Sequence, residues 1–171
     1  VSLYAKMPYD PVRDLAPVGM LHKLPNVLVI HPSIPASNLR ELIAYARSKP
    51  GELTFASAGV GSASHLAGEL LKAAANVDIL HVPYRGGGAA MPDLLSGRVS
   101  MMIETIPNAL PAVRSGTLRA LGVTTPMRSS SAPDLPTLAE AGLPDFDVTS
   151  WTGLFVPAGA PDFDAASSAC S

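Results

Sequence analysis

Apolar residues fall in short runs separated by glycine, proline and hydroxyl-bearing turns, and the runs alternate between a strand period and a helix period. Residues 18–21 and 27–30 are short apolar segments, the second dense enough for a buried strand. Before them, Pro8, Pro11 and Pro17 predict an irregular path over residues 9–16, and residues 1–7 read as a loop or the end of a helix. Leu39, Leu42, Ile43 and Ala46 recur at helical spacing behind Asn38, with Glu41 three residues on as a capping-box partner. Pro50 and Gly51 end that helix. A strand over residues 54–56, a turn of small residues and a second helix follow. Ser62 or Ser64 is placed to cap this helix, and Leu66, Leu70, Ala73 and Ala74 are its expected apolar face. A strand over 79–84, a flexible turn over 85–88 and a helix over about 90–95 come next. The pattern then gives a strand over 99–103, a helix over about 108–115 with Pro111 in its first turn, and a strand over 118–124. Residues 127–136 read as loop. Thr137 and Glu140 form a capping box for a short helix that stops at Gly142, and residues 147–156 are a last strand. Residues 162–171 are small and polar without a period, and are expected to fray.

Strands alternating with helices imply βαβ units, hence an α/β fold with a mostly parallel, doubly wound sheet. Ligands in such sheets sit beyond the carboxyl ends of the strands. Three turns occupy that edge, at residues 57–62, 84–88 and 104–107, and they should converge in space. The first is the most informative. Ser57, Ala58, Gly59, Val60 and Gly61 put little bulk before a helix whose first amides are otherwise free. A helix start with a bare, hydroxyl-lined approach favours an anion such as a carboxylate. The other residues divide between two readings. Tyr84 is core or pocket wall, and Arg85 pairs with an anion or faces water. Glu104, with Thr105 at the end of its strand, is a solvated acid or a hydrogen-bond acceptor on the rim. His65 is better read as a packed or capping histidine than as a ligand contact, Trp151 as core or hinge packing, and Met101 and Met102 as core filler.

Composition narrows the function classes. The 171 residues carry a formal net charge of −2 with interspersed signs, so no basic footprint for nucleic acid or a membrane surface is present. Charged residues at 15% against 47% hydrophobic ones argue for a packed core rather than disorder. No apolar run reaches the roughly 18 residues that a membrane span needs. The single Cys170 offers no internal disulfide, and His22, His31, His65 and His81 are too scattered to suggest a metal site. Gly59-Val60-Gly61 starts like a dinucleotide fingerprint, but Ser64 stands where the last glycine belongs. Asp78 lies about 20 residues on yet precedes its strand, which argues against a nicotinamide cofactor. Gly61-Ser62 lacks the spacing of a nucleophile elbow. No cofactor and no catalysis are expected. A ligand-sensing module that signals to a partner would bind in the same way as a transport receptor; gene neighbours would separate them.

Five stretches also carry a family resemblance. They are H-P-S-I-P-A-S-N-L-R-E-L-I-A-Y-A from His31, K-P-G-E-L-T-F-A-S-A-G-V-G-S-A-S-H-L-A-G-E-L from Lys49 and H-V-P-Y-R-G-G-G-A-A-M-P-D-L-L-S-G-R-V from His81. L-P-A-V-R-S-G-T-L-R-A-L-G-V-T from Leu110 and D-L-P-T-L-A-E-A-G-L from Asp134 complete the set. In this order, over about residues 3–161, they closely resemble the Bug/TctC family, the extracytoplasmic solute receptors of tripartite tricarboxylate transporters. The resemblance implies a periplasmic-binding-protein-like lobe of the two-lobed, Venus-flytrap (type II) kind. It also implies a periplasmic location, a small carboxylate as ligand, and delivery to membrane permease subunits. In the family the carboxylate is held largely by main-chain amides and ordered water. The family's small-residue turn falls on Ser57, Ala58, Gly59, Gly61 and Ser62, and its Tyr–basic–Gly turn on Tyr84, Arg85 and Gly86. Where the family commonly has Asp after the third strand, this chain has Glu104, one methylene longer. The family's opening strand and glycine-rich loop would precede Val1, and its closing amphipathic helix does not resemble residues 162–171. The chain is therefore expected to be a receptor fragment. Residues 1–30 would be a remnant of the first lobe and crossover, 31–149 the second α/β lobe, and 150–171 the return crossover and tail, with hinges near 27–32 and 150–156. A leader peptide would lie outside the chain.

Overall fold

A computed structural model describes residues 7–160. The expectations for residues 1–6 and 162–171, and Cys170 with them, lie outside the described residues. Strands β1 (Leu15–Ile30), β2 (Thr54–Ser57), β3 (Leu80–Pro83), β4 (Met101–Thr105), β5 (Arg119–Val123) and β6 (Thr149–Pro157) form one sheet. Its order is β3-β2-β4-β1-β5, with β6 paired to β1. Helices α1 (Leu39–Ser48), α2 (Ala63–Ala75), α3 (Gly87–Leu95) and α4 (Ile106–Arg114) make the connections. The chain divides into a unit of Leu24–Ser150 and a smaller one from Val1–Lys23 and Trp151–Ser171, of which residues 7–23 and 151–160 are described.

Within the larger unit the inner half of β1 is an interior strand, flanked by β4 and β5. Residues alternate between its faces, as a strand requires. Leu28 and Ile30 join Phe55, Met101 and Ile103 under α1 and α2, whereas Val27 and Val29 join Ala56, Met102 and Val123 under α3 and α4. Helices thus cover both faces, as the α/β reading requires, and Met101 and Met102 pack in the core on opposite sides. The strand directions need a correction. β2 runs parallel to β3 and β4, but β1 is antiparallel to both β4 and β5, so the sheet is mixed rather than mostly parallel. β1 is not the product of a βαβ crossover; it enters as one long extended segment, and nothing obliges it to follow its neighbours' direction.

That segment is the second correction. The two short apolar runs and part of the irregular stretch before them are a single 16-residue strand. Pro17 and Pro25 interrupt the pattern without ending the strand: Pro17 lies in the exposed outer half, and Pro25 is half-buried one residue before the register with β4 begins at Asn26. In the smaller unit this outer half pairs with β6, where Trp151 is 60% exposed rather than packed in a core or hinge.

Three helical details also differ. In α2 the buried residues are Ala67, Gly68, Leu71 and Ala75, while Leu66 and Leu70 are exposed. Gly68 lies directly on the Phe55 ring: a Cβ there would stand 2.8 Å from Cζ and closer still to Cδ2 and Cε2. The helix packs on its smallest residues because they allow that approach. α4 starts at Ile106, two residues early, so Pro107 takes the first turn and Pro111 is interior. The Thr137–Glu140 box closes reciprocally, at 2.9 and 3.0 Å, but it holds a turn rather than a helix. Asn38 caps α1 as read, its Oδ1 accepting from the Glu41 amide at 3.0 Å, but the Glu41 carboxylate reaches back one residue further, to the Ser37 amide at 2.7 Å, and to Asn38 Nδ2 at 2.8 Å, rather than to the Asn38 backbone amide of a capping box. Among the described residues no helix is long and apolar enough to cross a membrane.

Candidate functional site

The turn after β2 is tied together by its own side chains. Gly59 and Gly61 have φ of +126° and +84°, which side-chain-bearing residues rarely adopt. Buried Ser57 accepts from the Gly59 amide at 3.1 Å and meets His81 Nε2 at 2.6 Å. The Ala58 amide donates to Ser64 Oγ (3.0 Å), the Gly61 amide to His65 Nδ1 (3.1 Å), and Ser62 Oγ to the Gly59 carbonyl (2.7 Å). Ser62 is the helix cap, accepting from the His65 amide at 3.3 Å. Behind the turn, His65 stacks on His81 at 4.2 Å and His81 on Phe55 at 4.8 Å. Burial, and then the neighbouring His65, hold the His81 pKa below its ordinary value.

The other two turns come to this one. The Tyr84 amide donates to the Ser57 carbonyl at 3.0 Å and the Gly86 amide to the Ala58 carbonyl at 3.1 Å, which fixes the start of α3 beside the start of α2. Glu104 ends β4 against them. Its Oε1 accepts from the Thr105 amide (2.8 Å), Thr105 Oγ1 (3.1 Å) and Asn108 Nδ2 (3.3 Å), all at the start of α4. Its Oε2 faces Gly87 so closely that a Cβ there would displace the carboxylate. Asn26, level with Thr105 in the register, accepts a hydrogen bond from Ser150 Oγ at 2.9 Å.

A cavity of about 250 Å³ opens among these groups, lined by Asn26, Ala58, Ser62, Ala63, Ser64, Gly87, Gly88, Ile103, Glu104, Asn108 and Ser150. A more apolar one of about 460 Å³ adjoins it and adds Met91, Pro92 and Leu95. Neither has a lysine, arginine or histidine in its wall. Three helices begin here instead. Each N-terminus carries about half a positive charge, and the first-turn residues Ala63, Ser64, Gly87 and Gly88 line the wall.

Of the residues singled out in the sequence, Ala58, Ser62 and Glu104 line the cavity. Ser57, Gly59, Gly61 and Gly86 form the turns behind it, and the amides of Gly59, Gly61, Ser62 and Gly86 already have protein acceptors. Thr105 supports Glu104. Tyr84 and Arg85 are not brought in. The Tyr84 hydroxyl donates to Asp93 at 2.7 Å, which with Arg98 draws the Asp93 carboxyl below its usual range, and Arg85 is exposed. The candidate site residues left out eight of the wall, Asn26, Ala63, Ser64, Gly87, Gly88, Ile103, Asn108 and Ser150, although the 84–88 turn that holds Gly87 and Gly88 was placed at this edge. Asn26, a polar residue opening an apolar run, was the one available signal.

Together the fold and this cavity define a periplasmic-binding-protein-like lobe with an anion-compatible cleft at the edge of its sheet. The chain belongs to the TctC family, the tripartite tricarboxylate transporter family receptors, whose model matches residues 2–164. It is 46% identical over 159 residues to the "UPF0065 protein in tcbD-tcbE intergenic region" of Pseudomonas sp. (strain P51), covering 92% of this chain and 47% of that protein. Among solved structures it resembles Rpa4515 of R. palustris with adipate (TM-score 0.88, 39% identity, 93% of this chain and 53% of that one). It also resembles MatC (Rpa3494) of Rhodopseudomonas palustris with bound malate (TM-score 0.87, 39% identity, 94% and 54%). The chain thus spans about half the length of these relatives.

Proposed function

We propose that the chain is part of a periplasmic solute receptor that binds a small carboxylate without transforming it and passes it to the membrane permease subunits of a tripartite transporter. The observation that carries this reading is the convergence of three helix N-termini on a cavity whose wall has no cationic side chain. Such a wall offers an anion oriented amides and dipoles rather than a counter-ion. In this reading the carboxylate lies against the first-turn amides of Ala63, Ser64, Gly87 and Gly88, with Ser62 adding a hydroxyl. Ala58 and Glu104 shape the opening. Ser57, Gly59, Gly61, Gly86 and Thr105 act one step back, by holding the turns. The adipate and malate of the two R. palustris neighbours fit the same ligand class.

A thermal-shift screen tests this with adipate, malate, succinate, citrate and the corresponding amides. A ligand at 100 times its dissociation constant stabilises the native state by about 2.7 kcal/mol. The expected result is a rise in Tm with at least one carboxylate and none with its amide. Gly61→Val, forced from a φ of +84°, should lose the rise. Equal shifts with acids and amides, or none with any acid, would overturn the reading.

A further inference from the structure

The larger unit carries, away from the cavity, two arginines whose charge the fold does not use. Arg40 stands in the first turn of α1, where the positive end of the helix dipole disfavours a cation. It is exposed, with no hydrogen bond or ion pair among the described residues. The acid next to it is committed elsewhere: Glu41 accepts from the Ser37 amide and hydroxyl and from Asn38 Nδ2. Arg47 lies two turns further along α1. Its Nη2 donates to the Ala75 carbonyl at 2.6 Å, and the rest of its fork has no protein acceptor among the described residues. Both arginines line a groove of about 300 Å³, with Ile43 and Ala44 between them and the end of α2, Gly142 and Leu143 opposite. Gly142 has a φ of +123°, and a Cβ there would stand 3.8 Å from Arg40 Nε, so the arginine passes over a residue with no side chain. No acid lines the groove. α2 begins at the cavity and ends at the groove, so its 13 residues set the two about 20 Å apart.

A cation in an adverse place, with no counter-ion and beside a groove free of acids, is explained by what binds there rather than by the fold. Residues 40 and 47 are seven apart, hence on one face of α1 and about 10 Å from each other along its axis. A single small anion fills one guanidinium fork, whereas two forks at this spacing with an aliphatic floor between them match an extended acidic chain. We infer that the groove docks a segment of a partner protein that carries two carboxylate side chains about two helical turns apart with an aliphatic side chain between them. Arg40 and Arg47 take the carboxylates, and Ile43 and Ala44 receive the aliphatic side chain. The groove and the cavity share no residue, so partner and solute occupy opposite ends of α2.

The probe is an acetylated, amidated helical peptide carrying Glu-Ala-Ala-Leu-Leu-Ala-Ala-Glu, with both acids replaced by glutamine in the control, followed by the amide chemical shifts of the chain. The acidic peptide is expected to move the amides of Ile43, Ala44, Gly142 and Leu143 and to leave those of Ala63, Ser64, Gly87 and Gly88 in place. Raising the salt from about 50 to about 500 mM should weaken it severalfold, because exposed charges are screened. Arg40→Gln should weaken the peptide about tenfold, with a Tm equal or higher because a cation leaves the start of a helix. Arg47→Lys keeps a charge at the end of α2 and should weaken the peptide severalfold through loss of the fork. Arg114→Gln, at an exposed arginine outside the groove, should change nothing. Equal binding of the glutamine peptide, shifts confined to another surface, or no binding at millimolar peptide would overturn the inference. So would adipate moving the groove amides as strongly as the peptide, which would make this a small-diacid site. Each of these leaves the receptor reading in place, because its cavity lies at the other end of α2.

Discussion

Gly87→Ala is the substitution whose outcome the structure fixes most tightly. A Cβ at residue 87 would stand 3.3 Å from Glu104 Cδ, 3.6 Å from Met102 Cε, and well inside contact distance of Glu104 Oε2. The carboxylate would have to retreat by roughly 1 Å. A free side chain would do this at little cost. Glu104 is not free, because its Oε1 holds the Thr105 amide, the Thr105 hydroxyl and Asn108 Nδ2. Losing one hydrogen bond to a charged group costs about 2 kcal/mol, and alanine's better helix propensity returns at most about 1 kcal/mol. The net destabilisation is about 1 kcal/mol, a fall in Tm of roughly 2–5 °C. Urea unfolding of Gly87→Ala, Glu104→Ala and the double variant gives the decisive number. With Glu104 truncated there is nothing to collide with, so Gly87→Ala should become neutral or stabilising, and the coupling should be about 2 kcal/mol. A Gly87→Ala protein as stable as the parent, or one with the same penalty in both backgrounds, would refute the claim that Glu104 is pinned against α3.

Gly68→Ala carries a similar conflict in the core. Helix propensity alone favours alanine by about 1 kcal/mol, but the new methyl overlaps the ring of Phe55, which is 2% exposed and stacked on His81. Overpacking of this kind costs about 1–3 kcal/mol, so chemical denaturation should show a net loss of stability; a gain would mean that the ring can move aside. His81 predicts a pH dependence. Its folded pKa lies below 6.5, so the unfolded chain takes up the proton first. Its contribution is therefore intact above about pH 6.5 and falls as the pH drops toward the folded pKa, where the loss levels off. Urea midpoints between pH 8 and pH 5 should show this decline, and His81→Gln should flatten it; an unchanged slope in the variant would assign the effect elsewhere.

What the sequence disclosed was local, and what it hid was set by contacts across the chain. The α1 N-cap was legible because Asn38 and the Glu41 amide it accepts from are three residues apart and need nothing else. The face of α2 was not. Counting large apolar residues favours Leu66 and Leu70, whereas packing favours the shape that Gly68 leaves for a ring 13 residues earlier. The three turns of the site were legible from their glycines and hydroxyls. Which amides the turn would use for itself was not: Ser57, Ser64 and His65 take up those of Gly59, Ala58 and Gly61. Asn26 was hidden most deeply, since its side-chain partner Ser150 lies 124 residues away.

The strand direction that the alternating pattern misjudged is also what completes the site. β2, β3 and β4 run parallel, and each hands its chain to a helix at the same edge, so α2, α3 and α4 all begin there. Three parallel strands alone would give a wall of helix N-termini. β1 runs the other way, and the start of its inner half is level with the end of β4, with Asn26 opposite Thr105 and Val27 opposite Glu104. A parallel β1 would carry Asn26 to the far edge, about four residues or roughly 13 Å from its present place. The antiparallel strand therefore brings a second side-chain amide, beside that of Asn108, to an edge lined by the starts of three helices, hydroxyls and one carboxylate.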